Sequence, residues 1–356
     1  MSAEFNTSHD MIALARRNLN HDTWDYICGG AESETSLRRN RMALDHIAFR
    51  PRVLRDVREI DTSASILGHK LRIPVMLAPL GRVQSFSPNG ALDPDTVAEE
   101  FGTINFLSTV TEPSLEEVAA NSPHPKIFQI YVRGDRDWLR ELLGRVVAAK
   151  YAAATLTVDI PYYGNRERIN TFQLALRHNV PRDSQKSVTW DTVKFIQDTI
   201  GDMPLMLKGI MRPEDAALAV EHGVHTVHIS NHGGRQLDHT LGNIDMLADI
   251  VAAVDGKAEI VVDGGFTRGT DVVKAIALGA RAVCIGKLQA WALGAGGAPA
   301  LMRCMELLET EIETTMGLIG VTSLDQLGPS AVTAAMPVNM PHEMSAFPHL
   351  ADGRLL

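Results

Sequence analysis

The stretch from Leu205 to Lys287 decides the fold. It holds four short apolar, β-branched runs: LMLKGI (205–210), TVHISN (226–231), EIVVDGG (259–265) and AVCIGK (282–287). Each run is continuously apolar rather than alternating, which is the pattern of a strand buried on both faces. Their spacing is that of a strand–helix–strand unit. Toward the N-terminus four more runs follow the same pattern: VMLAPL (75–80), INFLST (104–109), KIFQIYV (126–132) and AATLTVD (153–159). Helical segments separate them. Ser114 caps SLEEVAANS (114–122), RPEDAALAVEHG (212–223) closes on glycine, and RDWLRELLGRVVAAK (136–150) sets Trp138, Leu142, Val146 and Ala149 on one stripe. Eight strands with eight following helices predict an α/β fold, a (β/α)8 TIM barrel with an N-terminal helical flank.

The whole chain, 1–356, reads as a single domain: a flank over 1–70, the barrel over 71–330 and a weakly patterned, Pro- and Met-rich tail over 331–356. That tail either packs on a neighbouring subunit or moves freely. One inter-strand gap is long, and its polar residues 163–187 form a short lid at the C-terminal rim. With 45% hydrophobic and 22% charged residues, the chain has enough apolar content for a core, which excludes a disordered protein. The formal charge of −9 argues against nucleic acid or anionic lipid as general partners, yet leaves room for a local cationic site. Cys28, Cys284 and Cys304 are odd in number and lack a CxxC pair, so neither a metal site nor a disulfide framework is expected. They suit a reducing, cytoplasmic setting. No signal peptide opens the chain and no apolar run suits a membrane anchor.

Reactive residues of such a barrel gather at the C-terminal ends of its strands. Those ends carry Ser108, Gln129 and Tyr131, Thr157 and Asp159, Lys208, Ser230 and His232, and Asp263. In SNHGGRQLD (230–238), His232 precedes Arg235 by three residues at a glycine turn, which pairs a general base with a carboxylate receptor. Alone, so short a motif matches by chance. DGGFTRG (263–269) and IGK (285–287) are glycine-rich strand-to-helix turns at the seventh and eighth strands, where such barrels bind phosphate. Together they point to a phosphorylated ligand. Lys208 ends an apolar strand and reads equally as a Schiff-base lysine, a cation facing a cofactor, or half of a structural ion pair.

SNHGGRQLD, with DGGxxRG and IGK after it, LxKGI before it, and LTVDIP…NRER and FQIYV upstream, resembles the FMN-dependent 2-hydroxy acid oxidase and dehydrogenase family. Glycolate oxidase, lactate oxidase and mandelate dehydrogenase are members. The likeness implies FMN as cofactor and an L-2-hydroxy acid as substrate, oxidised to the 2-oxo acid. It implies oxygen, a quinone or a carrier protein as electron acceptor, and a homo-oligomer, a tetramer. It assigns His232 as base, Asp159 as the carboxylate behind it, and Tyr131 as a contact to the substrate hydroxyl. Arg235, Arg166 and Tyr26 would hold the substrate carboxylate. Lys208 would face the pyrimidine end of the flavin, with Ser108, Gln129, Thr157, Ser230 and the backbone at Ala78 and Gly81 bonding the ring or ribityl chain. Asp263, Gly264, Gly265, Gly286 and Lys287 would hold the ribityl and phosphate end.

Several positions depart from the family pattern. The usual IGR is IGK, and Thr267 replaces the first basic residue of DGGxRRG. Lysine keeps a point charge but loses the guanidinium fork, with Arg268 as a substitute. Gly81 ends Ala78-Pro79-Leu80-Gly81 in place of APTA, and Val110 replaces a large aromatic. Tyr162 and Tyr163 crowd another wall, so glycolate is not the obvious substrate. Two other readings use the same residues: a flavin-dependent isomerase of the isopentenyl diphosphate type, and a non-redox phosphate barrel with Lys208 as an aldolase lysine.

Overall fold

The computed structural model describes residues 5–169, 183–337, 344–347 and 350. Eight parallel strands close into a barrel: β1 (Val75–Leu77), β2 (Asn105–Ser108), β3 (Lys126–Ile130), β4 (Ala153–Thr157), β5 (Leu205–Ile210), β6 (Thr226–Ile229), β7 (Glu259–Val262) and β8 (Ala282–Ile285). Each pairs with its sequence neighbours, and β8 returns to β1 through Val283 opposite Val75 and Ile285 opposite Leu77. All eight lie inside the expected runs. Most end two or more residues earlier, because the last residues of each run turn outward as the loop that bears the site.

Local sequence explains the helices between them. Ser114 and Glu117 form a reciprocal capping box on Leu115–Asn121, Asp135 caps Arg136–Ala148 through the Trp138 N–H, and Pro213 opens Pro213–Glu221. On Arg136–Ala148 the buried stripe is Leu139, Leu142, Leu143 and Val146; the expected Trp138 and Ala149 are only half-buried. The helical run Lys287–Ile319 breaks at Gly296 and Gly297, and Pro299 follows. Asn18, ending the helix Ser8–Asn18, donates to the freed Ala295 carbonyl at 2.9 Å.

The N-terminal flank closes both ends of the barrel. A hairpin of Ala64–Ile66 and His69–Leu71 sends Ile66 and Leu71 into the bottom, among Met76, Ile104, Phe106 and Ile127. Each of those two side chains contributes about 2 kcal/mol of burial. At the opposite end the helices His21–Cys28 and Thr35–Asp45 lie across the β6 and β7 loops. The described part of the tail packs on its own chain: Val332–Ala334 pairs antiparallel with Ile47–Phe49, and Phe347 meets Trp291 edge-on with centroids 6.5 Å apart. Most of the expected lid, 170–182, lies outside the described residues. Among the described residues no helix is long and apolar enough to cross a membrane.

Candidate active site

A cavity of about 320 Å³ opens at the C-terminal ends of the strands. Its lining comes from the β1 loop (Ala78–Arg82), the β3 loop (Tyr131–Arg133), the β4 loop (Ile160, Pro161, Tyr163, Arg166) and the β6 loop (His232, Gly233, Arg235). Lys208, Val110, the β7 turn Asp263–Thr267, and Gly286 and Lys287 after β8 also line it. Tyr26, Ile27, Leu37 and Arg41 reach in from the flank.

The β6 loop makes its turn with three successive left-handed residues, His232 (φ 58°), Gly233 (φ 65°) and Gly234 (φ 74°). Gly234 is required there, since a Cβ would stand 2.4 Å from the Leu37 nitrogen. His232 has no such exemption, and holding it left-handed costs about 1 kcal/mol. The result is a fixed imidazole. Its Nδ1 lies 3.0 and 3.2 Å from the two Asp159 oxygens, and its Nε2 is 3.4 Å from the Tyr131 hydroxyl. With Nδ1–H donating to Asp159, the lone pair sits on Nε2, on the side of Tyr131. Burial pulls the His232 pKa below its ordinary 6.5 although Asp159 pushes the other way, so the ring is neutral at pH 7. For Asp159 burial pushes upward, but His232 and Lys208 prevail and hold it below the carboxylate range. Burial, reinforced by Asp159, raises the Tyr131 phenol, which stays a donor.

Beside this pair stand two guanidinium groups. Arg235 donates from Nη1 to the Gly29 carbonyl at 2.8 Å and lies over the Tyr26 ring, 5.1 Å from its centroid. Arg166, 4% exposed, donates to the Arg235 carbonyl, the Tyr163 hydroxyl and Gln236 Oε1 at 3.0, 2.8 and 2.9 Å. All of these acceptors are neutral. Among the described residues neither arginine is paired with a carboxylate. Burial, with Arg166 adding, lowers Arg235 to about 10, so it remains a cation that gains from an incoming anion. Tyr26 donates to the Gly81 carbonyl at 3.1 Å.

A second charged group lies at the barrel axis. The β5 strand bulges between Lys208 and Ile210, at Gly209 (φ 115°), where a Cβ would meet the Asp159 Cβ at 2.7 Å. Lys208 donates to Ser230 Oγ at 2.7 Å and lies 3.3 Å from Asp263, which also accepts from Ser230 at 2.9 Å. Burial alone would depress Lys208; Asp263 and Asp159 reverse this and raise it above the lysine value. A Schiff-base lysine must be neutral, so this environment disfavours the aldolase reading. Ser108, Gln129 and Thr157 form a buried chain, Ser108 Oγ to Gln129 Oε1 at 2.6 Å and Gln129 Nε2 to Thr157 Oγ1 at 2.8 Å, outside the cavity lining itself.

At the other strand ends Gly264 and Gly265 are left-handed, and Lys287 donates to the Cys28 carbonyl at 2.9 Å. Arg268 is not brought to the cavity. Its guanidinium pairs with Glu311 at 2.7 Å and covers Phe347, on the outer side of the turn, so it is no substitute for a phosphate-binding arginine. Arg41 lines this end instead, fixed by two 2.7 Å bonds to Asp271. Tyr162, 71% exposed, faces solvent rather than crowding the wall, and of the two tyrosines only Tyr163 lines the cavity. The remaining groups suit a ring-bearing phosphorylated cofactor: a buried ammonium, glycine turns with a lysine, and apolar Leu80 and Phe266. Four lining or supporting residues had no mark in the sequence: Arg41, Arg82, Arg133 and His228. The last is fully buried on β6, its Nε2 3.2 Å from Asp263.

Comparison with known proteins agrees over most of the length. The family model described as FMN-dependent dehydrogenase matches residues 15–183 and 175–334. L-lactate oxidase of Nostoc sp. is 39% identical over 347 residues, covering 89% of this chain and 95% of its own. Glycolate oxidase of Spinacia oleracea is 36% identical over 356 residues, covering 93% and 96%. A crystal structure of mandelate oxidase superposes with a TM-score of 0.87 at 34% identity, covering 94% of this chain and all of that one (100%).

Proposed function

The chain belongs to the FMN-dependent dehydrogenase family, with FMN as its cofactor, and from that premise we propose that it oxidises an L-2-hydroxy acid to the 2-oxo acid. The observation that carries this reading is the neutral His232, backed by Asp159, beside two guanidinium groups that lack an anion.

Arg235 and Arg166 bind the substrate carboxylate, and Tyr26 adds a hydrogen bond. Tyr131 donates to the substrate hydroxyl oxygen and so fixes which face of C2 is presented. His232 takes one proton onto Nε2, and Asp159 stabilises the imidazolium that forms. FMN supplies the acceptor for the two electrons that leave C2. Lys208 would hold a positive charge beside the bound ring, favouring negative charge there. The buried Ser108–Gln129–Thr157 chain and Ser230 would support the ring or ribityl chain, while Asp263, Lys287 and the turns at Gly264, Gly265 and Gly286 would hold the ribityl and phosphate end. Dioxygen is the acceptor we favour, since the relatives above are oxidases by name. The substrate is larger than glycolate: Val110 leaves space where some relatives carry an aromatic ring. Gly81 suits that wall, because a Cβ there would stand 3.0 Å from Val110 Cγ2. Cys28, Cys284 and Cys304, buried and unpaired, support a cytoplasmic setting.

The test is anaerobic. The purified yellow protein should lose its flavin absorbance with glycolate, lactate, mandelate or a longer 2-hydroxy acid, and regain it with peroxide formed in air. A colourless protein that takes up no added FMN overturns the proposal.

The pH profile supplies a second check. A base must be unprotonated to act, and burial places the His232 pKa below 6.5, so kcat/KM should rise through an acid limb below that pH and then level. Asp159 raises that pKa, so Asp159→Asn should move the limb to lower pH while kcat falls about 100-fold. A limb that shifts upward counts against the pairing.

A further inference from the structure

One buried titratable group has no part in the reaction proposed above. His228 is fully buried on the inner face of β6, with Lys208 on β5 and Val261 on β7 as its register partners. Its surroundings are largely apolar, and the Phe106 ring lies 6.2 Å away between centroids. A leucine or methionine would fill such a place without the cost of desolvating a polar ring, so the imidazole calls for an explanation.

Its Nε2 lies 3.2 Å from Asp263 Oδ2, the oxygen that also accepts from Ser230 at 2.9 Å and stands 3.3 Å from Lys208 Nζ. Asp263 itself is fixed: Oδ1 accepts from Asn243 at 3.0 Å, and its backbone N–H donates to the Ile229 carbonyl at 3.1 Å. Neither imidazole nitrogen completes a hydrogen bond among the described residues, so the contact with Asp263 is one of charge with dipole. Burial lowers the His228 pKa below 6.5 although Asp263 pushes the other way, and the ring is neutral at pH 7. Its single N–H faces the carboxylate from Nε2, because the other tautomer would set a lone pair against an anion. Oδ2 is thus shared between the Lys208 ammonium and the positive end of the imidazole dipole.

We infer that His228 is a positioning residue for Lys208: it takes a share of Asp263 Oδ2, leaves the ammonium directed toward the bound ring, and so raises the reduction potential of FMN. This rests on the Lys208 role proposed above and names the residue that tunes it. Without the imidazole, Asp263 turns to Lys208 alone and draws its charge away from the ring.

The experiment uses the holoprotein with FMN in excess and reads the flavin potential against a reference dye under nitrogen. His228→Leu and His228→Met should each shift the reduction equilibrium about ten-fold toward oxidised flavin, a fall of about 30 mV in the two-electron potential. Sulfite, an anionic probe that bleaches oxidised flavin on binding, should bind about ten-fold more weakly to both. His228→Gln keeps an N–H of similar reach and should restore most of each loss. Two apolar variants are made so that one that folds suffices. A potential unmoved in a folded apolar variant, or a glutamine variant no better than the apolar ones, overturns the inference. Lys208→Met tells the two readings apart. A fall there with none in the His228 variants leaves the Lys208 role standing, and no fall in either overturns both.

Discussion

Replacing His232 by glutamine should lower kcat by about 10³- to 10⁴-fold and leave the protein yellow. Glutamine can keep a donor toward Asp159, yet it has no site that accepts a proton near neutral pH. The variant therefore removes proton transfer and little else. Arg166, Arg235 and Tyr26 make no hydrogen bond to the imidazole, so binding of a 2-oxo acid should change only a few-fold. Stopped-flow reduction under nitrogen, read beside a binding titration, separates the two effects. Reduction within ten-fold of the parent rate would remove His232 from the role of base.

The second large effect concerns stability. Arg41→Met should cost about 3–5 kcal/mol, because it strands a buried carboxylate. Asp271 is 1% exposed and accepts from the Thr267 and Arg268 N–H groups at 3.1 Å, so its charge also orders the β7 turn. Burial raises the Asp271 pKa, and Arg41 pulls it below the ordinary value. The sign follows: this pair stabilises the protein above the unfolded carboxylate pKa and loses that contribution as pH falls through the lowered folded value. In the variant Asp271 titrates upward instead. Adding Asp271→Asn should recover part of the loss, since no unpaired charge is then buried. Urea midpoints of the three proteins decide it, and a single-variant loss under about 1 kcal/mol would show the pair to be unimportant.

The barrel was legible because its strands are buried on both faces and so are written as unbroken apolar runs. Strand-end positions such as Lys208, Ser230 and Asp263 were legible for the same reason: once a run is placed, the polar residues at its end are at the rim. Direction was harder to read. Arg268 lies within the right turn, but it precedes the helix Gly269–Ala277 on the outer side and meets Glu311, which nothing in DGGFTRG announces. His228 was hidden inside TVHISN, although its two-residue offset from Ser230 places both on the inner face. Arg41 could not be found by any local pattern, since its partner is 230 residues away.

That separation also has a meaning in time. The helix Thr35–Asp45 leaves the ribosome early, while Asp271 and the loop at Gly234 are made some 200 residues later. At about 5–20 residues per second, the first-made segment waits roughly ten to fifty seconds for the partners that seat it. The cavity at the strand ends is therefore completed by its oldest part. Until then Leu37 and Leu44, buried in the finished protein, lack the partners that cover them, which leaves this helix exposed to misassociation during synthesis.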